Sequence, residues 1–107
     1  PGNAVAWDVL RAGVAAPGET PVLLVNDPIL ISRGANSAVR YNFFYPRWAY
    51  DAYRAQLAGL AEANGWDYLD LWNAVPEIHF TNSAVHIDAQ GVGLMAERIA
   101  AAVPCGR

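Results

Sequence analysis

Hydrophobic residues recur every three or four positions in three stretches of the chain, and this spacing predicts three helices. The predicted helices cover 4–15, with Asn3 as the capping residue, 47–64, with Gly65 as the stop, and 89–103. Two of them carry a clear apolar stripe, formed by Tyr53, Leu57, Leu60 and Ala61 in the second helix and by Val92, Met95, Ile99 and Ala102 in the third.

Two short apolar runs lie between the helices. Residues 22–25 form a continuous run that ends in the polar pair Asn26 and Asp27, and residues 68–72 form the second, within WDYLDLW. Short, unbroken apolar runs are typical of strands that are buried on both faces of a parallel sheet. We therefore predict two parallel strands.

The order of elements is helix, strand, loop, helix, strand, loop, helix. Strands that alternate with helices favour an α/β fold, a three-layer αβα sandwich in which right-handed crossovers join parallel strands. Two strands make a small sheet, since sheets of about five strands are usual. We expect the missing strands to lie upstream, so that residues 1–107 are the C-terminal portion of a single domain.

Composition and charge exclude several functions. The chain is 54% hydrophobic, with a net charge of −3, and its seven basic residues are all Arg. No basic run marks a nucleic-acid site or a site for an anionic membrane, and no apolar stretch reaches the length of a membrane span. Without Lys the chain has no P-loop, and the lone Cys105 cannot form a disulfide within it. We predict no nucleic-acid partner, no membrane-spanning segment and no cofactor.

The predicted ligand edge of the sheet lies at the carboxyl ends of its strands. Asn26 and Asp27 end the first strand there, which makes them candidate substrate-binding residues, although the same residues can form a turn with Pro28.

The long segment 29–45 is a candidate substrate wall, because irregular loops of this length are uncommon in compact domains unless they are functional. Its conspicuous residues are Arg40, Tyr41, Phe43 and Phe44. They could form the wall of an acyl or sugar pocket, with Arg40 binding an anionic group, or the aromatic rings could simply be buried on the sheet.

His86 lies in a loop that follows the second strand and therefore belongs to the same edge. Asp88 stands where the last helix begins, and its carboxylate suits both the free N–H groups and the positive end of the helix dipole. His79 lies seven residues before His86, without a clustered carboxylate or thiol, so we predict a surface histidine beside Glu77 and no metal site.

These residues resemble the SGNH, or GDSL-type, lipase/esterase superfamily of serine hydrolases. In that family a catalytic His precedes the last helix in the pattern D-x-x-H, followed by an apolar residue, a capping residue and a glycine. His86, Ile87, Asp88 and Gly91 match this pattern, whereas Ser83 stands in the position of the family's Asp. The segments PVLLVNDPI, YPRWAYDAYRAQL and WDYLDLW also fit the last half of such a flavodoxin-like fold.

The resemblance implies that His86 is the general base of a serine esterase whose nucleophilic Ser, in a G-D-S motif, lies upstream. An imidazole with a pKa near 6.5 can take the serine proton at neutral pH and return it to the leaving group. The group that orients His86 is then Ser83, Asn82 or a backbone carbonyl, none of which carries the charge of an Asp.

Two other functions fit the same residues. The fold could transfer an acyl group to a cell-envelope glycan, with a sugar hydroxyl in place of water, or it could be a catalytically silent domain that binds carbohydrate or protein. The expected partners are the upstream segment of the same protein and an ester-bearing small molecule or glycan. The resemblance favours an extracytoplasmic location.

Overall fold

A computed structural model describes residues 6–103 and shows a mixed helix and strand structure with a parallel sheet. The elements in chain order are α1 (Trp7–Ala15), β1 (Leu23–Asn26), α2 (Arg47–Asn64), β2 (Asp67–Asp70), a 3-10 turn (Glu77–His79) and α3 (Ala89–Ala102). The proposed cap Asn3 and the predicted first turn of α1 at residues 4 and 5 lie outside the described residues.

The bounds of α2 agree with the prediction because local signals define both of its ends. Pro46 has an extended ψ of 139° and precedes the first helical residue. Gly65 adopts the left-handed conformation, with φ 67°, and its N–H reaches the carbonyls of Ala61 and Glu62. Glycine adopts this conformation without the steric cost that a Cβ brings.

The sheet contains two parallel strands within the described residues. Leu23 lies opposite Asp67, and Asn26 lies opposite Asp70, so both carboxyl ends reach the same edge. This mixed helix and strand structure with a parallel sheet is compatible with the predicted α/β class, and each strand lies one or two residues from the predicted position. Asn26 and Asp70, both polar, therefore become neighbours at the edge where ligands bind in parallel sheets.

A hydrophobic core cluster lies at this edge, between α2 and the chain that follows β1. Ile29, Tyr41 and Tyr50 are buried together there. The Tyr41 ring makes edge-on contacts with the rings of Tyr50, at 5.8 Å between centroids, and Trp72, at 5.2 Å. Such contacts add to the stability gained by burying the rings. Segment 29–45 is thus held in place by its own aromatic side chains.

The other two helices are poorly covered. Trp7 of α1 stacks on Tyr53 at 6.0 Å, but none of the described residues of α1 is buried. In α3 only Gly91 is buried, and Val92, which we predicted on its buried face, is 53% exposed. That prediction was wrong, because periodicity identifies the apolar face of a helix without supplying an element to cover it. No helix within residues 6–103 has the length and apolarity to cross a bilayer.

Candidate functional site

A network of side-chain hydrogen bonds joins the carboxyl ends of both strands to α2. The Asn26 amide nitrogen donates to the Tyr50 hydroxyl and to an Asp70 carboxylate oxygen, each at 3.0 Å. The Asn26 amide oxygen accepts from the Tyr53 hydroxyl at 3.1 Å. Asn26 is 7% exposed, so these bonds satisfy an amide whose burial would otherwise be costly.

Asp70 is the charged centre of this network. One of its oxygens accepts from Arg54 Nε at 2.9 Å and lies 2.8 Å from Arg54 Nη2. The other accepts from the backbone N–H of Trp72 at 3.2 Å as well as from Asn26. The Arg54 guanidinium also lies 4.1 Å from the centroid of the Trp72 ring, a cation–π contact. The ion pair is partly buried, and two nitrogens of Arg54 contact one Asp70 oxygen, which ties the end of β2 to α2.

Burial raises the pKa of Tyr50 to about 12, so this hydroxyl stays protonated at neutral pH. Burial also raises the pKa of Tyr53, with the Asp70 carboxylate adding to the effect. Both phenols are therefore neutral structural partners of Asn26. The predicted binding residue Asn26 has its amide committed to the fold.

A groove of about 570 Å³ opens beside this network. Its walls come from the end of β1, from the segment that follows it, from the start of α2 and from the His86 loop, and they include Asn26, Asp27, Phe44, Tyr45, Ala49, Tyr53 and Val85. Asp27 is exposed, and Phe44 is 65% exposed. Three of the predicted binding residues, Asn26, Asp27 and Phe44, thus line one concave surface at the predicted edge.

The His86 loop, residues 80–87, is fixed at both of its ends and at its tip. Phe80 and Ile87 form an isolated antiparallel bridge, and the Thr81 N–H donates to the His86 carbonyl at 2.9 Å. The Ala84 carbonyl accepts from the Leu30 N–H at 2.9 Å, which ties the loop to the chain just after β1. The exposed side chain of His86 therefore stands on a braced loop at the carboxyl edge.

Ser83 and Asn82 bond to groups other than the imidazole. The Ser83 hydroxyl oxygen accepts from the backbone N–H groups of Val85, at 3.3 Å, and His86, at 3.1 Å. The Asn82 amide oxygen accepts from the Thr81 hydroxyl at 3.4 Å. Within residues 6–103 no hydrogen bond joins the His86 ring to either side chain. A hydroxyl oxygen has two acceptor sites, so Ser83 has none left for a ring N–H.

Asp88 caps α3 as predicted, but it also has a partner that the sequence did not suggest. One carboxylate oxygen accepts from the Gly91 N–H at 2.8 Å, and the other lies 3.1 Å from His79 Nδ1. His79 therefore faces Asp88 rather than Glu77, and its side chain is 18% exposed, which corrects the predicted surface position. The hydrogen bond from the Gly91 N–H lowers the pKa of Asp88 the most, and the hydrogen bond with His79 lowers it further.

The remaining loop candidates lie away from the groove. Tyr41 is buried in the core, and its hydroxyl donates to Asp51. Arg40 and Phe43 line a separate cavity of about 190 Å³ together with Asn42. The binding residues predicted in segment 29–45 are thus divided among the core, the smaller cavity and the groove. Arg40 does not line the groove that contains Phe44.

Several residues at this edge were not predicted from the sequence to belong to a site, namely Tyr50, Tyr53, Arg54, Asp70 and Val85. Tyr50, Tyr53 and Arg54 follow an i, i+3, i+4 spacing that presents one face of α2, which is the signal that could have grouped them. In the part of the chain that the structure describes, no three His, Cys, Asp or Glu side chains gather as metal ligands would.

No family model matches this chain, and no curated protein or solved structure matches it at a significant level. Function must therefore be inferred from the residues at the carboxyl edge of the sheet.

Proposed function

We propose that this chain is the C-terminal part of an SGNH-type serine hydrolase domain, a three-layer αβα sandwich that cleaves acyl or acetyl esters. One observation carries the proposal: the exposed His86 stands on a braced loop at the carboxyl edge, directly before a capped helix and beside an open groove. This is where parallel α/β sheets bind ligands and where a base can meet a substrate.

His86 is the general base in this proposal, and the nucleophilic Ser lies in the upstream segment. The imidazole takes the proton of the serine hydroxyl as its oxygen attacks the ester carbonyl, and it then protonates the leaving alcohol. No cofactor is required. Because Ser83 accepts two backbone N–H groups, the acceptor for the second ring N–H of His86 in this proposal is a backbone carbonyl or Asn82.

Two further candidates each have a supporting observation. An O-acyltransferase acting on a glycan is supported by the groove, whose exposed aromatic rim can accommodate an acceptor hydroxyl in place of water. A catalytically silent binding domain is supported by the absence of any carboxylate hydrogen bond to the His86 ring within the described residues.

The test compares the two histidines in the protein that includes its upstream segment. We expect His86→Ala to lower the hydrolysis of a short p-nitrophenyl ester by about 10² to 10⁴, since that is the usual contribution of a general base. The melting temperature should change little, because the ring has no hydrogen-bonding partner within residues 6–103. His79→Ala is the matched control, and it should lower the melting temperature while the folded protein keeps its activity, because His79 bonds to the Asp88 cap.

Unchanged hydrolysis in His86→Ala would reject the assignment of the base. If the parent protein hydrolyses no ester, adding a glycan acceptor with an acyl donor separates the transferase, which forms acylated glycan, from the silent domain, which forms none.

A further inference from the structure

We propose that the smaller cavity, which contains Arg40, binds a singly charged oxyanion, a carboxylate or sulfate group. This cavity shares no lining residue with the groove beside the His86 loop, and the inference does not rest on the proposed function. Three observations support it: the free guanidinium of Arg40, the hydroxyl groups around it, and the hydrogen bonds that hold the walls of the cavity in place.

The Arg40 side chain supplies a positive charge that no described residue neutralises. Among the residues that the structure describes, no carboxylate pairs with its guanidinium, whereas Arg54 is paired with Asp70. Arg40 is also the one charged side chain among the described residues that line the cavity. A planar guanidinium presents its N–H groups as a fork that matches the oxygen atoms of an oxyanion. An anion is therefore the ligand that this side chain favours.

The hydroxyl groups that line the cavity have protons to donate. The Ser32 hydroxyl oxygen accepts from the Gly34 N–H at 3.4 Å, which leaves the Ser32 proton available. The Ser37 hydroxyl also lines the cavity and has no hydrogen-bonding partner within residues 6–103. Two hydroxyl protons and a guanidinium, with no carboxylate in the described lining, complement the oxygen atoms of an anion.

The charge of the cavity selects a single negative charge. One guanidinium balances one charge, and a dianion would keep a second charge uncompensated on a chain whose net charge is −3. A phosphate monoester carries about 1.5 to 2 negative charges at neutral pH, whereas a carboxylate or a sulfate ester carries one. We therefore expect carboxylates and sulfate esters to bind better than phosphate esters.

The walls of the cavity are held by bonds that leave these donors free. Asn42, which is 3% exposed, donates from its amide nitrogen to the Leu30 carbonyl at 2.7 Å. On the other side, Arg47 Nε donates to the Ser37 carbonyl at 2.7 Å, and the Arg47 N–H donates to the Val39 carbonyl at 3.0 Å. The turn that carries the donors is thus tied to the start of α2, so little ordering of the chain is required when a ligand binds.

The opening of the cavity fits an anionic group carried on a ring. The volume of about 190 Å³ is below the roughly 300 to 1,000 Å³ of a site that encloses a drug-sized ligand. Phe43 lines the cavity, and its ring is 80% exposed and packs edge-on against Phe44, at 5.2 Å between centroids. This ring offers an apolar face to the body of a ligand whose charged group contacts Arg40. A free anion would make the same polar contacts without using Phe43.

The first experiment compares methyl β-D-glucuronide with methyl β-D-glucoside, which has the same ring without the carboxylate. Both are titrated by NMR into the protein with its upstream segment. We expect the glucuronide to bind at least about tenfold more tightly and to shift the signals of Ser37 and Arg40. Arg40→Gln should weaken the glucuronide about tenfold, and Arg40→Lys should weaken it less, because an ammonium keeps the charge but loses the fork.

Arg33→Gln is the matched control for charge. It removes the same charge from an exposed position of segment 29–45 outside this cavity, and it should change the affinity by less than about twofold. Ser37→Ala removes a hydroxyl that has no partner within the described residues, so it should weaken the glucuronide about threefold without changing the melting temperature. Equal binding of the glucuronide and the glucoside would overturn the site, and so would equal losses in Arg33→Gln and Arg40→Gln.

Two further titrations define the anion. If the group is carried on a ring, Phe43→Ala should weaken the glucuronide severalfold and leave acetate unchanged. Acetate that binds as tightly as the glucuronide, in the parent and in Phe43→Ala, would keep the oxyanion site and assign it to a free anion. Methyl phosphate that binds more tightly than methyl sulfate at pH 8 would overturn the single charge. None of these measurements requires esterase activity, so an inactive parent protein would reject the hydrolase and keep the oxyanion site.

Discussion

The Ser83 hydroxyl cannot orient the His86 ring of the proposed active site by accepting its N–H. Both acceptor sites of its oxygen receive backbone N–H groups, so toward the His86 ring it can only donate. If Ser83 donated to Nδ1 of His86, the proton of the neutral ring would lie on Nε2. That is the wrong tautomer, because the general base must accept the serine proton at Nε2. A carboxylate at this position would have enough acceptor sites for the turn and the ring together.

We therefore predict that Ser83→Asp raises esterase activity at least about tenfold, which corresponds to about 1.4 kcal/mol of transition-state stabilisation. The carboxylate would hold the ring N–H and stabilise the imidazolium that forms. Initial rates at slightly alkaline pH check the prediction, and Asn82→Asp, one residue further from the ring, should gain less. A larger gain in Asn82→Asp would assign the orienting position to residue 82, and no gain in either would assign it to a backbone carbonyl or another carboxylate.

Asp88 should make stability depend on pH. Its pKa is lowered below the ordinary value of 3.8, chiefly by the Gly91 N–H and then by His79, so the folded state favours the carboxylate more than the unfolded state does. Its contribution is therefore fully present above this ordinary value and is lost as the pH falls through the lowered pKa. Asp88→Asn keeps a capping side chain and removes the charge.

We expect Asp88→Asn to melt below the parent at about pH 6, with the difference shrinking as the pH falls below the ordinary carboxyl pKa. Thermal melts across this range measure it. A difference that is constant with pH would mean that the carboxylate acts through its shape alone.

At the scale of elements, the start of α3 holds the His86 loop through a single close approach. A Cβ on Gly91 would lie 2.9 Å from Cβ of Ile87 and 3.3 Å from Cβ of His79. The first turn of the helix and the two ends of the loop can pack this closely because residue 91 has no side chain. The matched position is Gly93, where an added Cβ has nothing within 4 Å.

We predict that Gly91→Ala destabilises the protein by about 1 to 3 kcal/mol, as overpacking usually does, and lowers esterase activity because Ile87 adjoins His86. Gly93→Ala should stabilise it by about 0.5 to 1 kcal/mol through helix propensity and leave activity unchanged. Urea unfolding and ester hydrolysis of both variants measure the two effects. Equal stability changes would show that α3 does not dock on the loop as described.

The elements differ in how much of them the sequence could reveal. Helix α2 was predicted to the residue because Pro46 and Gly65 fix its ends locally, and the Asp88 cap followed from the same local chemistry. The exposure of Val92 could not be predicted, because it depends on what packs against α3. Burial is a property of the assembly of elements rather than of one helix.

The site shows the same division between local and non-local signals. His86 was placed at the carboxyl edge from its position after a strand, which is local information. The commitment of Asn26 to Asp70 depends on strand register, and the separation of Arg40 from Phe44 depends on how segment 29–45 folds back. Both involve residues that are distant in sequence, and hydrophobic periodicity carries no record of such pairings.

At the scale of the whole molecule, the chain is flatter and more exposed than a compact domain. Its principal extents are 46 × 35 × 18 Å, and its radius of gyration is 15.2 Å, where a compact domain of this length has about 13 Å. Its accessible surface is 7123 Å², where a folded monomer of this mass has about 5,800 Å². The excess includes large apolar side chains with more than half of their surface exposed, namely Val9, Val39, Phe43, Phe44, Trp48, Ile78 and Val92.

These features predict that residues 1–107 alone do not form a stable monomer. Within the described residues the parallel sheet consists of only β1 and β2, so each strand has an unpaired edge, and parallel strands are otherwise found with both faces covered. At micromolar concentration we expect the isolated chain to self-associate or aggregate, as seen by light scattering coupled to size exclusion. Extending it by about 100 upstream residues should give a monomer with a cooperative melt, since that length completes a usual domain. A sharp two-state melt of the isolated chain as a monomer would contradict the prediction, and it would mean that the contacts of α2 with the strand ends, through Asn26, Arg54 and Asp70, suffice to hold the fold.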